Sequence, residues 1–153
     1  MRKPKKAKRV KLEALPKIRR RLLRLWKEAV RAQFGNCCAV TGVKDKEMVN
    51  GKPTILNCHH LESYRMCAFL RYDPMNGILL SPSAHKYGRN SAHQGPIWFA
   101  EWLRNNKPMQ WAFVLNNRDK LIDLNDRETL ATLECRLRDY IAARLTVMAY
   151  RWK

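Results

Sequence analysis

Acidic residues are scarce in this chain. Thirteen Asp and Glu stand against 31 Lys and Arg in 153 residues, a net charge of +18 with the histidines neutral. A compact domain so unbalanced repels itself, and the usual counterweight is a polyanion, either nucleic acid or an anionic membrane surface. Long apolar runs are missing too. None approaches the ~20 residues of a membrane-spanning helix. The basic start, Arg2 to Arg9, leads into no apolar stretch of the kind an export signal carries. Both absences weigh against a membrane and predict a cytoplasmic protein. Cysteines are few and odd in number (Cys37, Cys38, Cys58, Cys67 and Cys135), so a disulfide framework is not expected. The chain has no internal repeat, and no low-complexity segment beyond its basic first residues.

What is present is concentrated. Residues 1–33 hold fourteen of the cations and two of the acids, a net +12, which leaves +6 for the other 120 residues. The hydrophobic fraction, 46%, suffices for the core of one domain. The predicted organisation is α+β in four parts. Residues 1–14 read as a Lys/Arg-rich arm, disordered until bound. Residues 15–35 read as a basic amphipathic helix. Pro16 suits its first turn, Ile18, Leu22, Leu25, Trp26 and Ala29 form its apolar stripe, and Gly35 ends it. Residues 36–104 form the central unit. Residues 105–153 read as a hairpin followed by a long helix.

Within the central unit, residues 36–54 are turn-rich. Thr54–Leu61 reads as a strand, Glu62–Met75 as a loop, and Gly77–Ser81 as a second strand. Ser81-Pro82 has the form of a helix start, with Ser81 as cap, and Gly88 and Asn90 stop that helix early. Pro96–Leu103 reads as a further helix. Trp111–Leu115 and Leu121–Leu124 read as the two arms of the hairpin. From the capping-box-like Asn125-Asp126-Arg127-Glu128, the stripe Leu130, Leu133, Leu137, Ile141, Leu145, Met148 and Trp152 continues helical spacing to the end. Trp98, Trp102 and Trp111 read as core, with base stacking as the alternative role.

All four histidines lie between positions 59 and 93. His59-His60 closes one predicted strand, Asn76-Gly77 opens the next, and His85 lies just inside the following helix. This order of strand, loop, strand and helix, with H-H, N and H at those places, resembles the HNH endonucleases, whose fold is called ββα-metal. The likeness spans residues 36–103 and extends to phage recombination nucleases similar to endonuclease VII. Adjacent strand residues point to opposite sides, so His59 and His60 take separate tasks, one facing a metal and the other a water. A neutral imidazole accepts a proton near pH 7, its ordinary pKa being about 6.5. The resemblance implies His59 and His85 as metal ligands, His60 as general base and Asn76 as the residue that pins the loop. For the third ligand two readings stay open. His93 lies eight residues beyond His85, ~12 Å along a straight helix, and reaches the same ion only if the chain turns back near Gly88. Otherwise water completes the coordination and Arg89 sits near the phosphate.

The resemblance also implies one divalent ion, with Mg2+ first and Mn2+, Ni2+ or Zn2+ as alternatives. Relatives often add two CxxC knuckles around a structural zinc. Here those places are Cys38 with Thr41 and Ser81 with Ala84, so no structural zinc is expected. The implied activity is hydrolysis of DNA phosphodiester bonds, in the host's cytoplasm if the gene is a phage's. The expected phosphate contacts are Arg19, Arg20, Arg24, Arg65, Arg71, Lys86 and Arg89. DNA is the expected partner ahead of RNA, and a homodimer through the last helix is a further expectation. The alternative reading is a non-catalytic, basic nucleic-acid-binding protein that keeps the fold.

Overall fold

A computed structural model describes residues 12–150, with side chains to residue 147. The expected arm lies outside the described residues as far as Lys11, as do the side chain of Met148 and the whole of Trp152. The chain is α+β. Its elements are α1 (Leu15–Gln33), β1 (Met48–Val49), β2 (Lys52–Pro53), β3 (Asn57–His60), β4 (Gly77–Leu80), α2 (Pro96–Asn106), α3 (Pro108–Asn117) and α4 (Arg127–Tyr150). A 3-10 turn, Pro74–Asn76, leads into β4, and a π-helical turn, Ser83–Tyr87, follows it. The strands form two separate antiparallel pairs, β1 with β2 and β3 with β4.

The apolar stripe of α1 is the centre of the core. Leu22, Trp26, Ala29 and Val30 are fully enclosed, together with Ile78, Leu79 and Leu80 of β4. β4 is buried along its whole length, sharing one core cluster with the stripe of α1, Cys38, and Phe99 and Leu103 of α2. Helix α4 packs on α1 through Leu130 and Leu137. The ties between them ascend in step: Arg127 to the Glu13 carbonyl, Arg21 to Glu134, Tyr140 to Gln33. The two helices therefore run in the same direction, and the stripe expected at the end of the chain is satisfied within one molecule as far as Ile141. Leu145 is exposed.

One predicted element is absent. Trp111–Leu115 belongs to helix α3, and Leu121–Leu124 is not a strand. Pro108 starts α3 as Pro16 and Pro96 start α1 and α2. Gln110 then turns its amide inward to donate to the carbonyls of Met75 and Gly77 at 3.1 and 2.9 Å. An apolar run with a buried glutamine four residues before Val114 is helical spacing, and the run's aromatics masked it. The expected strand at Thr54 begins only at Asn57. Trp98, Trp102 and Trp111 are half-buried against the core, and Trp26 is fully enclosed.

Gly77 fixes the distance between α1 and the β3–β4 pair. A Cβ there would run into Val30 Cγ2 and stand 3.0 Å from the Trp26 ring. Gly77→Ala is expected to destabilise the protein by about 1–3 kcal/mol, the usual cost of overpacking a filled core, read as a lowered midpoint of chemical denaturation.

Candidate metal centre

The register of β3 on β4 sorts the histidines. His59 lies opposite Ile78 and His60 opposite Gly77. Alternation along β3 sends Cys58 and His60 to the α1 side and His59 to the other. Cys58 Sγ meets the Lys27 carbonyl at 3.6 Å. The His60 ring stacks on Trp26, 3.8 Å between centroids and 4° from parallel. Gly77 leaves that stack its space.

His60 is held at one nitrogen. Its Nε2–H donates to the carbonyl of Arg71 at 2.9 Å. That bond fixes the tautomer and leaves the lone pair on Nδ1. Burial pushes the His60 pKa down, the Arg71 carbonyl opposes that, and the charges of Arg71 and Lys27 add to the lowering. The ring is neutral near pH 7 and able to accept a proton.

His59, His85 and His93 converge on the far side of β3. His85 Nε2 lies 3.1 Å from His59 Nδ1 and 3.2 Å from His93 Nε2. One ring nitrogen from each of the three lies within 4.8 Å of the others. The route to His93 is a reversal of the chain. Gly88 N–H donates to the Ser83 carbonyl across the π-helical turn, and a Cβ at Gly88 would stand 2.8 Å from that same oxygen. The returning chain is then tied by Ala92 N–H to the Ala84 carbonyl and by His93 N–H to the His85 carbonyl. Ser91, fully buried, anchors the reversal. Arg89, expected near the phosphate if water completed the coordination, is exposed beyond the turn.

The donor set fits a cation. Two nitrogens bound to one ion at about 2.1 Å stand about 3.0–3.4 Å apart, which spans the two close pairs here, and the three donor atoms all lie within 4.8 Å of one another. Two of the rings are also kept uncharged. Burial, and then repulsion from His85, His93 and His60, pushes the His59 pKa down to about 3. Burial also lowers His85, with His93 and Lys86 adding to it. Neutral imidazoles have the lone pairs that a metal requires.

Asn76 is fully enclosed. Its Oδ1 accepts from Glu62 N–H at 2.7 Å, and its Nδ2 donates to the carbonyls of Glu62 and Leu70 at 2.9 and 3.1 Å. The amide thereby clamps both ends of the 62–70 loop, next to the Arg71 carbonyl that holds His60. Asn76→Ala removes three bonds and strands buried groups. The expected loss is about 2–4 kcal/mol of stability, from about 1 kcal/mol per bond and more for each group left unpaired, with loosened His60 geometry. Thermal denaturation measures the first effect, and hydrogen exchange across residues 61–73 the second.

The cations expected at phosphates divide. Arg19 is engaged inside the molecule, donating to the Leu124 carbonyl at 2.9 Å and to Asn125 at 2.7 Å, so its guanidinium ties α1 to the approach of α4. Arg20 and Arg24 are exposed on α1 and line a groove with Lys17 and Arg21. Arg65, Lys86 and Arg89 are exposed, and Arg71 is half-buried. Sequence reading placed Trp26 in the core without its stack on His60, and no local signal marks the Arg71 carbonyl as the partner of that ring. Of the four places a pair of knuckles would occupy, Cys38 and Ser81 do meet. Cys38 Sγ accepts N–H from Ser81 at 3.2 Å and from Thr41 at 3.4 Å. Burial of this thiol works against those donors, yet they hold its pKa below the ordinary range. Comparison of the chain with protein-family models, with curated proteins and with solved structures gives no match.

Proposed function

We propose that this protein is a metal-dependent endonuclease of the HNH type, hydrolysing phosphodiester bonds of DNA on a ββα-metal core made of β3, β4 and the turn that carries His85. One observation supports the reading above the rest. Three imidazoles meet at one point, and the residue beside the first of them is a fixed, neutral histidine on the opposite face of the same strand.

His59, His85 and His93 would hold the ion. A bound divalent cation supplies positive charge to the phosphate and to the departing oxygen. The rest is the work of the chain. His60 Nδ1 takes the proton of the attacking water, and the Arg71 carbonyl stabilises the resulting imidazolium through Nε2–H. Asn76 keeps the loop bearing that carbonyl in place. Exposed Arg20, Arg24, Arg65, Lys86 and Arg89 give sequence-independent attraction to the backbone. An all-imidazole donor set suits Zn2+ or Ni2+ better than Mg2+, which prefers oxygen.

The test is conversion of supercoiled plasmid to nicked and linear forms. Cleavage is expected with Ni2+, Zn2+ or Mn2+, weaker cleavage with Mg2+, and none with excess chelator. Tight DNA binding without cleavage under any of these ions would point instead to a non-catalytic binder.

A further inference from the structure

Arg71 differs from the paired arginines of the described chain. Arg19, Arg21, Arg31, Arg118 and Arg138 are each committed to an acid or a carbonyl. Among the described residues, Arg71 belongs to none of the ion pairs. It is nevertheless half-buried. Two aromatic rings hold it, with its guanidinium carbon 4.8 Å from the Tyr64 centroid and 5.4 Å from that of Tyr72. Tyr64 in turn stands edge-on to His60, 5.8 Å between ring centroids. Guanidinium, tyrosine and imidazole are thus successive neighbours.

The backbone around Arg71 is equally constrained. The Leu70 carbonyl accepts from Asn76, that of Arg71 from His60, and that of Asp73 from the Trp26 indole. A partly desolvated cation without an acid is costly unless an anion arrives. Its planar fork of N–H donors matches the oxygens of a phosphate two at a time.

We propose that Arg71 grips the phosphate of the very DNA bond that His60 helps to hydrolyse, with Tyr64 and Tyr72 holding its guanidinium in position. This assignment rests on the nuclease reading and adds to it a specific contact at the reacting group. One residue then orients both partners of the reaction, the base through its carbonyl and the phosphate through its side chain. Donors fixed before the substrate arrives need no rearrangement as charge builds on the phosphate.

The arrangement makes a clean experiment possible, because a change of side chain leaves the carbonyl for His60 in place. Arg71→Ala is expected to slow single-turnover cleavage at saturating DNA by about 10²- to 10³-fold. Arg71→Lys should recover only part, since an ammonium cannot make the paired contact. Tyr64→Leu should slow the reaction about 2- to 5-fold, the loss of one cation–π contact, and Tyr64→Phe should restore most of that. A second readout does not depend on cleavage. In the His60→Ala background, Arg71→Ala should lower the slope of log affinity against log salt for a duplex by about one. Wild-type rate together with an unchanged slope in Arg71→Ala and Arg71→Lys would overturn the assignment. If the wild type cuts nothing with any ion, the nuclease reading fails separately. The slope alone then decides whether Arg71 meets a phosphate, an unchanged slope overturning the contact and a reduced one supporting it.

Discussion

Replacing His60 by alanine is expected to slow DNA cleavage by about 10²- to 10⁴-fold, the usual contribution of a positioned general base, and to leave metal affinity and duplex affinity unchanged. The separation follows from β3. His60 points to the α1 side and His59 to the other, so removing His60 touches none of the three converging nitrogens. Nε2 is already used on the Arg71 carbonyl, which leaves Nδ1 as the ring's one basic atom. The stack on Trp26 is lost as well, and a thermal melt reports how much stability goes with it. His60→Gln controls for that loss. Its amide can still donate to the Arg71 carbonyl and lie on the indole, but it has no lone pair of suitable basicity, so it should be as slow as the alanine variant. Free imidazole added to His60→Ala should restore part of the rate by entering the space beside Trp26. Cleavage by both variants at the wild-type rate would remove His60 from the mechanism.

The sequence made the strand–loop–strand frame legible because its signals are local. Pro16 and a clear apolar stripe mark α1. Asp73-Pro74 and Asn76-Gly77 mark the turn into β4, and the uninterrupted apolar run after it marks a strand buried on both faces. The pairing of His59 with His60 carries its own physical content, since neighbours on a strand diverge. The reversal that delivers His93 was legible only as a condition. Gly88 permits it, but the tie between His93 and the His85 carbonyl joins residues whose proximity no spacing rule demands. The role of Arg71 was hidden in a different way. Its carbonyl serves His60 and its side chain lies on two tyrosines, and a backbone group has no identity in a sequence. Arg19 misled for the opposite reason. A cation on a basic helix reads as a phosphate contact, and only the packing of α4 on α1 makes it a tie to the Leu124 carbonyl. Helix α3 was missed because Trp111, Phe113 and Val114 have strand-favouring side chains, while burial of Gln110 beneath β4 imposes the helix.

Metal binding should be lost most completely in His85→Ala, whose Nε2 is the one within 3.2 Å of both other ring nitrogens. The expected weakening for Zn2+ or Ni2+, measured by calorimetric titration, exceeds about 100-fold, since even partners of the ligands cost 10- to 100-fold. His59→Ala should match it. His93→Ala should lose less, because His93 is exposed and water can take its place. Cleavage should follow the same order. The fold should survive in the His85 variant, as among the described residues that half-buried ring makes no hydrogen bond beyond its two histidine neighbours. This allows a readout without DNA. An ion that binds the folded chain alone raises its stability by about 2.7 kcal/mol at one hundred times the dissociation constant. Wild-type protein should therefore melt several degrees higher with Zn2+ or Ni2+ added, and His85→Ala should not respond. A equal rise in both proteins would place the ion elsewhere, for example on Cys37, Cys58 or Cys135. His59, held uncharged to about pH 3, and His85, lowered as well by burial, give the metal little proton competition, so the shift should persist into mildly acidic buffer. Free histidine, protonated near pH 6.5, would by then have released its ion.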